Sequence, residues 1–307
     1  MHYSKYTEKE LKPLKIKKTY DYITVKIISH LVVLIFSLIA FFPFLVLVVS
    51  SFSSEHAILN NGYSIIPKEM SLDAYKLVFQ NPGKMIGTYG LTIAITVIGT
   101  VISLFISTMT AYVLFRKELK YRNQMTFFLF FTTLFNGGLA PYYILISKYL
   151  HLKNTFAVLL LVPMFSVFNI LILRNFIKGS IPDALVESAT IDGAGDFKVF
   201  WSIVLPLSKP ALASIGLFTA LAYWNDWWTP MMFEQKQSLF PLQYTLYQIL
   251  SSVDFASNMV SQVPTVQMPK ESLKLAMTVV ATGPIILLYP FVQKYFVKGI
   301  TIGAVKG

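Results

Sequence analysis

Long apolar stretches dominate the chain and alternate with shorter polar segments. A helix needs about 20 consecutive apolar residues to cross a bilayer, and six stretches meet this requirement. They run over residues 27–49, 89–115, 125–146, 156–177, 211–231 and 275–296. The pattern therefore predicts an all-α integral membrane protein with six transmembrane helices, and it assigns residues 27–296 to the membrane domain.

The third apolar stretch is interrupted by FNGGLAPYY at residues 135–143. Pro141 removes a helix hydrogen bond, and the two glycines weaken the helix locally. We therefore expect a kink or a break at this point. Broken membrane helices usually lie against protein or a water-filled cavity; the alternative is an ordinary turn at the outer end of the span.

Two connecting segments are long, residues 51–87 and 233–274. Both mix polar residues with aromatic side chains and leucines, and residues 238–253 are predicted to form a short amphipathic element. Loops of this length are more often functional than idle. We expect them on the outer side of the membrane, where a partner protein would use them.

A polar segment at residues 178–210 separates the fourth and fifth stretches. Ser180 followed by Asp183 resembles a capping box, and Pro182 suits a first helical turn. Gly193 or Gly195 would supply the turn that ends this helix. A short helix with small and apolar side chains suits insertion into a groove of another protein. The alternative is a helix that packs flat on the membrane or on its own spans.

The positive charge of the chain predicts its orientation. The chain is 55% hydrophobic and 13% charged, with a net charge of +11. Most lysines and arginines lie in residues 1–26, in the connector after the second stretch, in residues 174–209 and near the C-terminus. Because basic residues collect on the cytoplasmic side, residues 1–26 and the tail at 297–307 are predicted to be cytoplasmic. Membrane topology explains the charge better than nucleic-acid binding does.

The first apolar stretch could also be interpreted as a cleaved signal peptide. Such a peptide has an apolar core of about 7–15 residues and a cleavage site of small residues. The stretch here is longer and ends in VVSSF, so an uncleaved membrane anchor is favoured.

Several chemistries find no support in the sequence. Cysteine is absent, and the four histidines have no metal-ligand spacing. The chain has no glycine-rich loop ending in Gly-Lys-Ser or Gly-Lys-Thr. No catalytic residue, metal site or cofactor is therefore predicted. If the protein uses ATP, another chain must bind the nucleotide.

An acidic residue, Asp226, lies inside the fifth stretch among Trp224, Asn225 and Trp227. An ionisable group within a membrane span is a functional candidate, and aromatic faces beside polar groups suit a saccharide. Tryptophans also gather at membrane interfaces, so a structural or gating role is the alternative. Tyr142 and Tyr143, beside the break in the third stretch, are weaker candidates for a substrate path.

One pattern in the polar segment resembles a known motif. Its residues are Glu187, Ser188, Ala189, Asp192, Gly193, Ala194, Gly195, Leu205 and Pro206. They are similar to the EAA loop of ABC importer permeases and depart from it at Ser188, where a small residue replaces alanine. The stretches WNDWWTP (224–230) and VKGITIGAVKG (297–307) resemble the carbohydrate-uptake, MalG-like permeases. FNGGLAPYY and LRNFIKGSIPDALVESA are similar to the LplC/YtcP-type permeases for complex saccharides.

The resemblance implies a multi-subunit importer. A second six-span permease, two ABC ATPases that hold ATP and magnesium, and an external solute-binding protein would be the partners. Glu187 and its neighbours would form a coupling helix seated in an ATPase, and Pro206 would set the re-entry into the fifth span. The tail residues Gly303, Val305, Lys306 and Gly307 would reach between the ATPases. Substrate choice would lie mostly in the binding protein.

Other classes of protein explain less of the chain. A secondary transporter usually has internal repeats and several buried charges, neither of which the sequence displays. A membrane scaffold would not need the interrupted third stretch or the cytoplasmic helix. A permease for peptides or another non-sugar solute remains an alternative within the importer class.

Overall fold

The computed structural model describes residues 20–260 and 269–286, with side chains described for 22–256 and 269–286. The regular secondary structure of the described residues is helical, apart from an isolated bridge between Ser53 and Met70, and short turns and loops connect the helices. The helices are α1 (Tyr20–Ser50), α2 (Glu55–Asn61), α3 (Asp73–Val78), α4 (Pro82–Phe115), α5 (Arg122–Leu134), α6 (Leu139–Ile144), α7 (Phe156–Leu161), α8 (Val167–Ser180), α9 (Asp183–Ile191), α10 (Asp196–Val199), α11 (Leu205–Leu207), α12 (Lys209–Trp224), α13 (Trp228–Phe233), α14 (Leu242–Val260) and α15 (271–286).

Among the described residues, two helices are long and apolar enough to cross a membrane unaided, α1 and α4. They agree with the first and second predicted spans. Two further pairs of helices qualify when each is counted as one bent span. A helix satisfies its own backbone hydrogen bonds and can therefore span a bilayer, and the all-α membrane fold is confirmed.

The third predicted span is broken where the sequence indicated. A bend of 113° separates α5 from α6. Gly138 has a φ of 91°, which favours glycine, and its amide donates to the Asn136 side chain at 2.8 Å. A π-helical turn at Leu145–Tyr149 then extends α6.

The fourth predicted span is not one continuous helix. It divides into α7 and α8, with non-helical residues 162–166 between them. Pro163 explains the interruption because proline lacks the amide that the next helical turn requires. In the fifth predicted span, α12 ends at Trp224 and α13 follows after a short turn. α15 covers the first part of the sixth, and residues 287–296 lie outside the described ranges.

α4 occupies the centre of the bundle, with α8 and α12 packed along it. The approach of α12 is so close that a Cβ at Gly99 would lie 2.4 Å from the ring of Tyr223. Glycine at position 99 is therefore required by packing. Gly216 gives α12 a similar, looser approach to Leu104, with a Cβ distance of 3.1 Å.

The bundle has two distinct ends, which we name after the residues they hold. The motif end contains residues 181–207 and one apolar cluster, which includes Phe115, Ile177 and Val186. The tryptophan end contains residues 223–250 and the first turns of α4 and α15, with clusters around Trp224 and Phe233. α4 and α12 connect these ends in opposite directions.

A carboxylate from the first connecting segment binds the start of α15 at the tryptophan end. Glu55, the first residue of α2, accepts hydrogen bonds from the backbone amides of Glu271 and Ser272, each at 2.9 Å. The Ser272 hydroxyl donates to the same carboxylate at 2.9 Å. Negative charge at a helix N-terminus is favourable, so Glu55 fixes the start of α15.

Candidate functional site

The short helix predicted in the polar segment exists as α9, but its start differs from the prediction. Ser180 ends α8 and caps nothing, and α9 begins at Asp183 after Pro182 without a side-chain cap. Proline disfavours a helical conformation in the preceding residue, and Ile181 has φ −111° and ψ 110°. The predicted capping box is therefore wrong, because Pro182 separates two helices.

The C-terminal turn of α9 depends on Gly193. This residue has a φ of 81°, a conformation that favours glycine. Its amide donates to the Thr190 carbonyl at 3.0 Å, and the Ala194 amide donates to the Ala189 carbonyl at 2.9 Å. These two bonds form a Schellman motif. Gly195, with φ −70°, has an ordinary backbone conformation, so Gly193 is the one of the two predicted glycines that supplies the turn.

α9 has one buried face and one exposed face. Val186 is buried at 4% exposure, and Ala189 packs against the same apolar cluster. One exposed face carries four side chains at spacings of three or four residues. They are Ala184, Glu187, Ser188 and Ile191, of which Ile191 is 85% exposed, and Leu185 and Thr190 are exposed on either side of this face. α9 therefore presents a mixed apolar and acidic face outward.

The chain returns from α9 to the bundle through a tightly wound segment. A π-helical turn at Phe200–Val204 leads into α11, which contains Leu205 and Pro206. Leu205 packs against the cluster at the motif end, while Pro206 is exposed. The axis then bends by 78° into α12. Asp192 and Ala194 complete the loop, Asp192 exposed and Ala194 half-buried.

Two ion pairs attach this segment to the end of α4. Arg116 lies 3.1 Å from Asp196, and Lys117 pairs with Asp183. The hydroxyl of Tyr112 also donates to Asp196 at 3.4 Å. Asp183 begins α9 and Asp196 follows its closing turn, so the pairs hold the segment on both sides. Sequence reasoning missed these contacts and used Arg116 and Lys117 only to count charges.

Glu187 lies beside this attachment without forming an ion pair among the described residues. It borders a small cleft with Lys117, Glu118 and Asp183. The hydrogen bond to Asp183 raises the pKa of Lys117, and the Glu187 charge adds to that effect. The Glu187 carboxylate is exposed and borders this cleft beside Lys117.

At the tryptophan end, Asp226 caps a helix. One of its carboxylate oxygens accepts hydrogen bonds from the amides of Trp228 at 3.1 Å and Thr229 at 3.0 Å. These are the free amides at the start of α13, and aspartate is a preferred residue for binding them. Asp226 therefore has a structural contact, the alternative that its sequence position left open.

The neighbours of Asp226 divide into buried and exposed residues. Trp224 is 5% exposed, and its indole N–H donates to the Ala281 carbonyl at 3.0 Å. Asn225 and Trp227 are exposed. The Asn225 side chain accepts a hydrogen bond from Gln243 at 3.1 Å, and Trp227 stacks on Tyr247 with ring centroids 5.2 Å apart. Only Asn225 and Trp227 of this group are placed to meet a ligand.

Tyr142 and Tyr143 connect the broken third span to α13. Tyr142 stacks on Trp228 with centroids 6.3 Å apart, and Tyr143 stacks on Phe233 at 5.6 Å. Lys153 donates to the Tyr143 hydroxyl at 3.0 Å. Both tyrosines are half-buried, and their described ring contacts pack α6 against α13.

Glu234, directly after α13, is a buried acid that the sequence did not single out. It is 4% exposed, and neither carboxylate oxygen has a hydrogen-bond partner among the described residues. Burial raises its pKa to about 7, while Lys236 and the backbone of Thr155 lower it by less.

The tail residues Gly303, Val305, Lys306 and Gly307 lie outside the described ranges. Within those ranges, no three histidine, aspartate or glutamate side chains come close enough together to hold a metal ion.

The described residues thus form a helical membrane bundle with an anchored, outward-facing helix at one end and an aromatic cluster at the other. The family described as "Binding-protein-dependent transport system inner membrane component" matches residues 22–302, and the chain belongs to this family. The resemblance seen in residues 187–206 to importer permeases is thereby confirmed. The family supplies the membrane permease of the transport system and is not an enzyme.

Individual relatives cover most of the chain. Protein LplC of Bacillus subtilis (strain 168) is 39% identical over 88% of this chain and 90% of its own length. The polygalacturonan/rhamnogalacturonan transport system permease protein YtcP of the same organism is 38% identical over 89% and 95%. A crystal structure of a bacterial ABC transporter involved in the import of the acidic polysaccharide alginate aligns with a TM-score of 0.73 and 29% identity, over 91% of this chain and 98% of that one.

Proposed function

We propose that this chain forms half of the translocation path of an ABC importer for an oligo- or polysaccharide. The observation that carries the proposal is the exposed face of α9, anchored on both sides to the central helix α4. The polygalacturonan/rhamnogalacturonan permease YtcP favours a saccharide, and the saccharide class of the alginate importer agrees with it. A non-sugar solute is the alternative within the same family.

In this proposal α9 is the coupling helix. Ile191 would enter a cleft of an ABC ATPase, and Glu187 would bind basic or backbone groups at its rim. Ser188 and Ala184 are small enough for close approach. ATP and magnesium would be bound by two ATPase chains, whose closure favours one arrangement of the spans. ATP and a loaded solute-binding protein would then shift the same conformational equilibrium.

The attachment to α4 supplies the mechanical connection. Force on α9 would pass through Asp183 and Asp196 to Lys117 and Arg116, and then along the 34 residues of α4. Because α4 reaches the tryptophan end, displacement of α9 would be felt at the aromatic cluster. A second permease chain would complete the path, and the tail at 303–307 would reach between the ATPases.

The charge distribution supports an orientation with the motif end and both termini in the cytoplasm. Lys117, Arg122, Arg174 and Lys178 border one cleft at the motif end, as expected for the cytoplasmic face. The tryptophan end would then face outward, with residues 233–274 available to the binding protein. Asn225, Asp226, Trp227, Tyr142 and Tyr143 would lie along the substrate path.

The assignment of α9 is tested by replacing Ile191 with aspartate and measuring how much ATPase co-purifies with the permease pair. Burying a charge in an apolar cleft is unfavourable, so the Ile191→Asp complex should lose its ATPases. Ile66→Asp is the matched control, because Ile66 is 80% exposed and lies in the first connecting segment. Equal ATPase recovery from both variants would refute the docking role of α9.

A further inference from the structure

The tryptophan end contains a groove between α14, α15 and Trp227, the residue that precedes α13. Its volume is about 400 Å³, and Trp227, Tyr247, Gln243, Lys274 and Thr278 contribute to its lining. Ligand cavities of about 300–1,000 Å³ are typical for small molecules. The groove is therefore large enough for part of a solute.

The groove combines an aromatic wall with an amide pair. Trp227 and Tyr247 are 42% and 43% exposed although they stack on each other. Gln243 lies one helical turn before Tyr247 on α14, and its amide nitrogen donates to Asn225. Aromatic rings offer an apolar face, and amides offer both a donor and an acceptor. Together they match a molecule with C–H faces and hydroxyl edges.

The opposite wall is a polar stripe on α15. Lys274, Thr278 and Thr282 follow at intervals of four residues, which places them on one helical face over about 12 Å. The hydroxyls of Thr278 and Thr282 donate to backbone carbonyls four residues earlier, at 2.8 and 2.7 Å. Their oxygens thus remain able to accept a hydrogen bond. Lys274 is bound by Glu271 at 2.7 Å, so its charge is largely compensated.

We propose that this groove is a saccharide subsite, in which Trp227 and Tyr247 stack on a sugar ring while Gln243 and the threonine stripe bind its hydroxyls. The inference rests on the proposed saccharide transport and deepens it by adding Tyr247, Gln243, Thr278 and Thr282 to the path. The groove begins at the first turn of α15 and continues along that helix. A sugar released at this end would meet it before passing between the spans.

Transport measurements test the aromatic wall. In proteoliposomes holding the whole importer with loaded binding protein, Tyr247→Ala should lower oligogalacturonide uptake per ATP hydrolysed about fivefold to tenfold, the effect of losing one stacking contact. ATP hydrolysis itself should stay unchanged, and Tyr247→Phe should transport normally. Tyr149→Ala is the matched control, because Tyr149 is 75% exposed and lies outside the groove. An unchanged ratio in Tyr247→Ala would overturn the subsite.

A direct readout uses the absence of cysteine from the sequence. The Gln243→Cys variant carries a single thiol in the groove, and oligogalacturonide or maltotriose should slow its reaction with a hydrophilic maleimide. Ser252→Cys, on a different face of α14, should react at the same rate with and without sugar. Equal rates at position 243 with and without sugar would refute the subsite. Normal sugar uptake by the wild type would still support the proposed function. Absence of uptake of both sugars by the wild type would instead refute the saccharide assignment itself.

Discussion

The two ends of the bundle satisfy their polar groups in different ways. At the tryptophan end, the Trp224 indole, the Asp226 carboxylate and the Glu55 carboxylate all have partners within the chain. At the motif end, α9 turns Glu187 and Ile191 outward, and its described anchors are ion pairs with exposed acids. The comparison teaches that these three groups of the tryptophan end are satisfied inside the chain, whereas the motif end leaves one face of α9 exposed.

The largest effect on stability is expected from Trp224→Ala. The substitution empties a site in a buried cluster and leaves the Ala281 carbonyl without its donor, which costs about 3–5 kcal/mol. Thermal unfolding of the purified importer should reveal a lower Tm. Trp201→Ala at the motif end is the control, because Trp201 is 53% exposed and should change the Tm little. Similar losses for both tryptophans would contradict the contrast between the ends.

The next effect concerns pH and Glu234. Its folded pKa of about 7 lies above the ordinary value of 4.5, so the folded state binds the proton more tightly than the unfolded state does. Stability should therefore be highest at acidic pH and fall as the pH rises from 4.5 through 7, by about 3 kcal/mol at most. The Tm at pH 5 and pH 8 measures this fall. Glu234→Gln should reduce the pH dependence, and an unchanged slope would show that another group causes it.

A smaller effect separates the two glycines after α9. Gly193→Ala should destabilise the closing turn by about 1–2 kcal/mol, because a Cβ is disfavoured at positive φ. Gly195→Ala should be nearly neutral, since its φ is −70° and a Cβ there meets no atom within 4 Å. Transport and ATPase co-purification should fall for the first variant only. Equal behaviour of the two variants would mean that the left-handed turn has no role.

The smallest effect on stability is expected for the pair Lys117 and Asp183, because exposed ion pairs contribute little. Lys117→Asp should leave the Tm unchanged yet reduce the ATPase activity stimulated by loaded binding protein. Exchanging the charges, as Lys117→Asp with Asp183→Lys, should restore part of the stimulation. Failure of the exchange variant to recover any activity would argue against a connection through this pair.

The sequence predicts the parts of the fold that depend on local composition. α1 and α4 follow from uninterrupted apolar runs, and the break at residues 135–138 follows from its glycines. The cap at Ser180 was wrongly predicted because Pro182 favours an extended conformation at Ile181. Ser180 therefore ends α8 and does not cap α9. The helix break at 162–166 was missed, although Pro163 was a visible signal.

The sites were harder to predict because their contacts connect distant parts of the chain. Arg116 meets Asp196, and Gln243 meets Asn225, only after the helices have packed. Neither pair has a spacing in the sequence that indicates its contact. Asp226 was identified, but its capping of α13 became evident only from the two amides that it binds. Local motifs thus locate candidate residues, while packing decides which of them remain exposed.

The hydrogen bonds of Glu55 have a consequence for biosynthesis. They join residues separated by 216 and 217 positions. At ordinary synthesis rates, the ribosome adds that length of chain in roughly 10–40 s. Throughout this interval Glu55 at the start of α2 lacks its hydrogen-bond partners on α15. Completion of the tryptophan end thus requires that synthesis has passed Ser272, and a chain terminated before α15 would leave the Glu55 carboxylate without these partners.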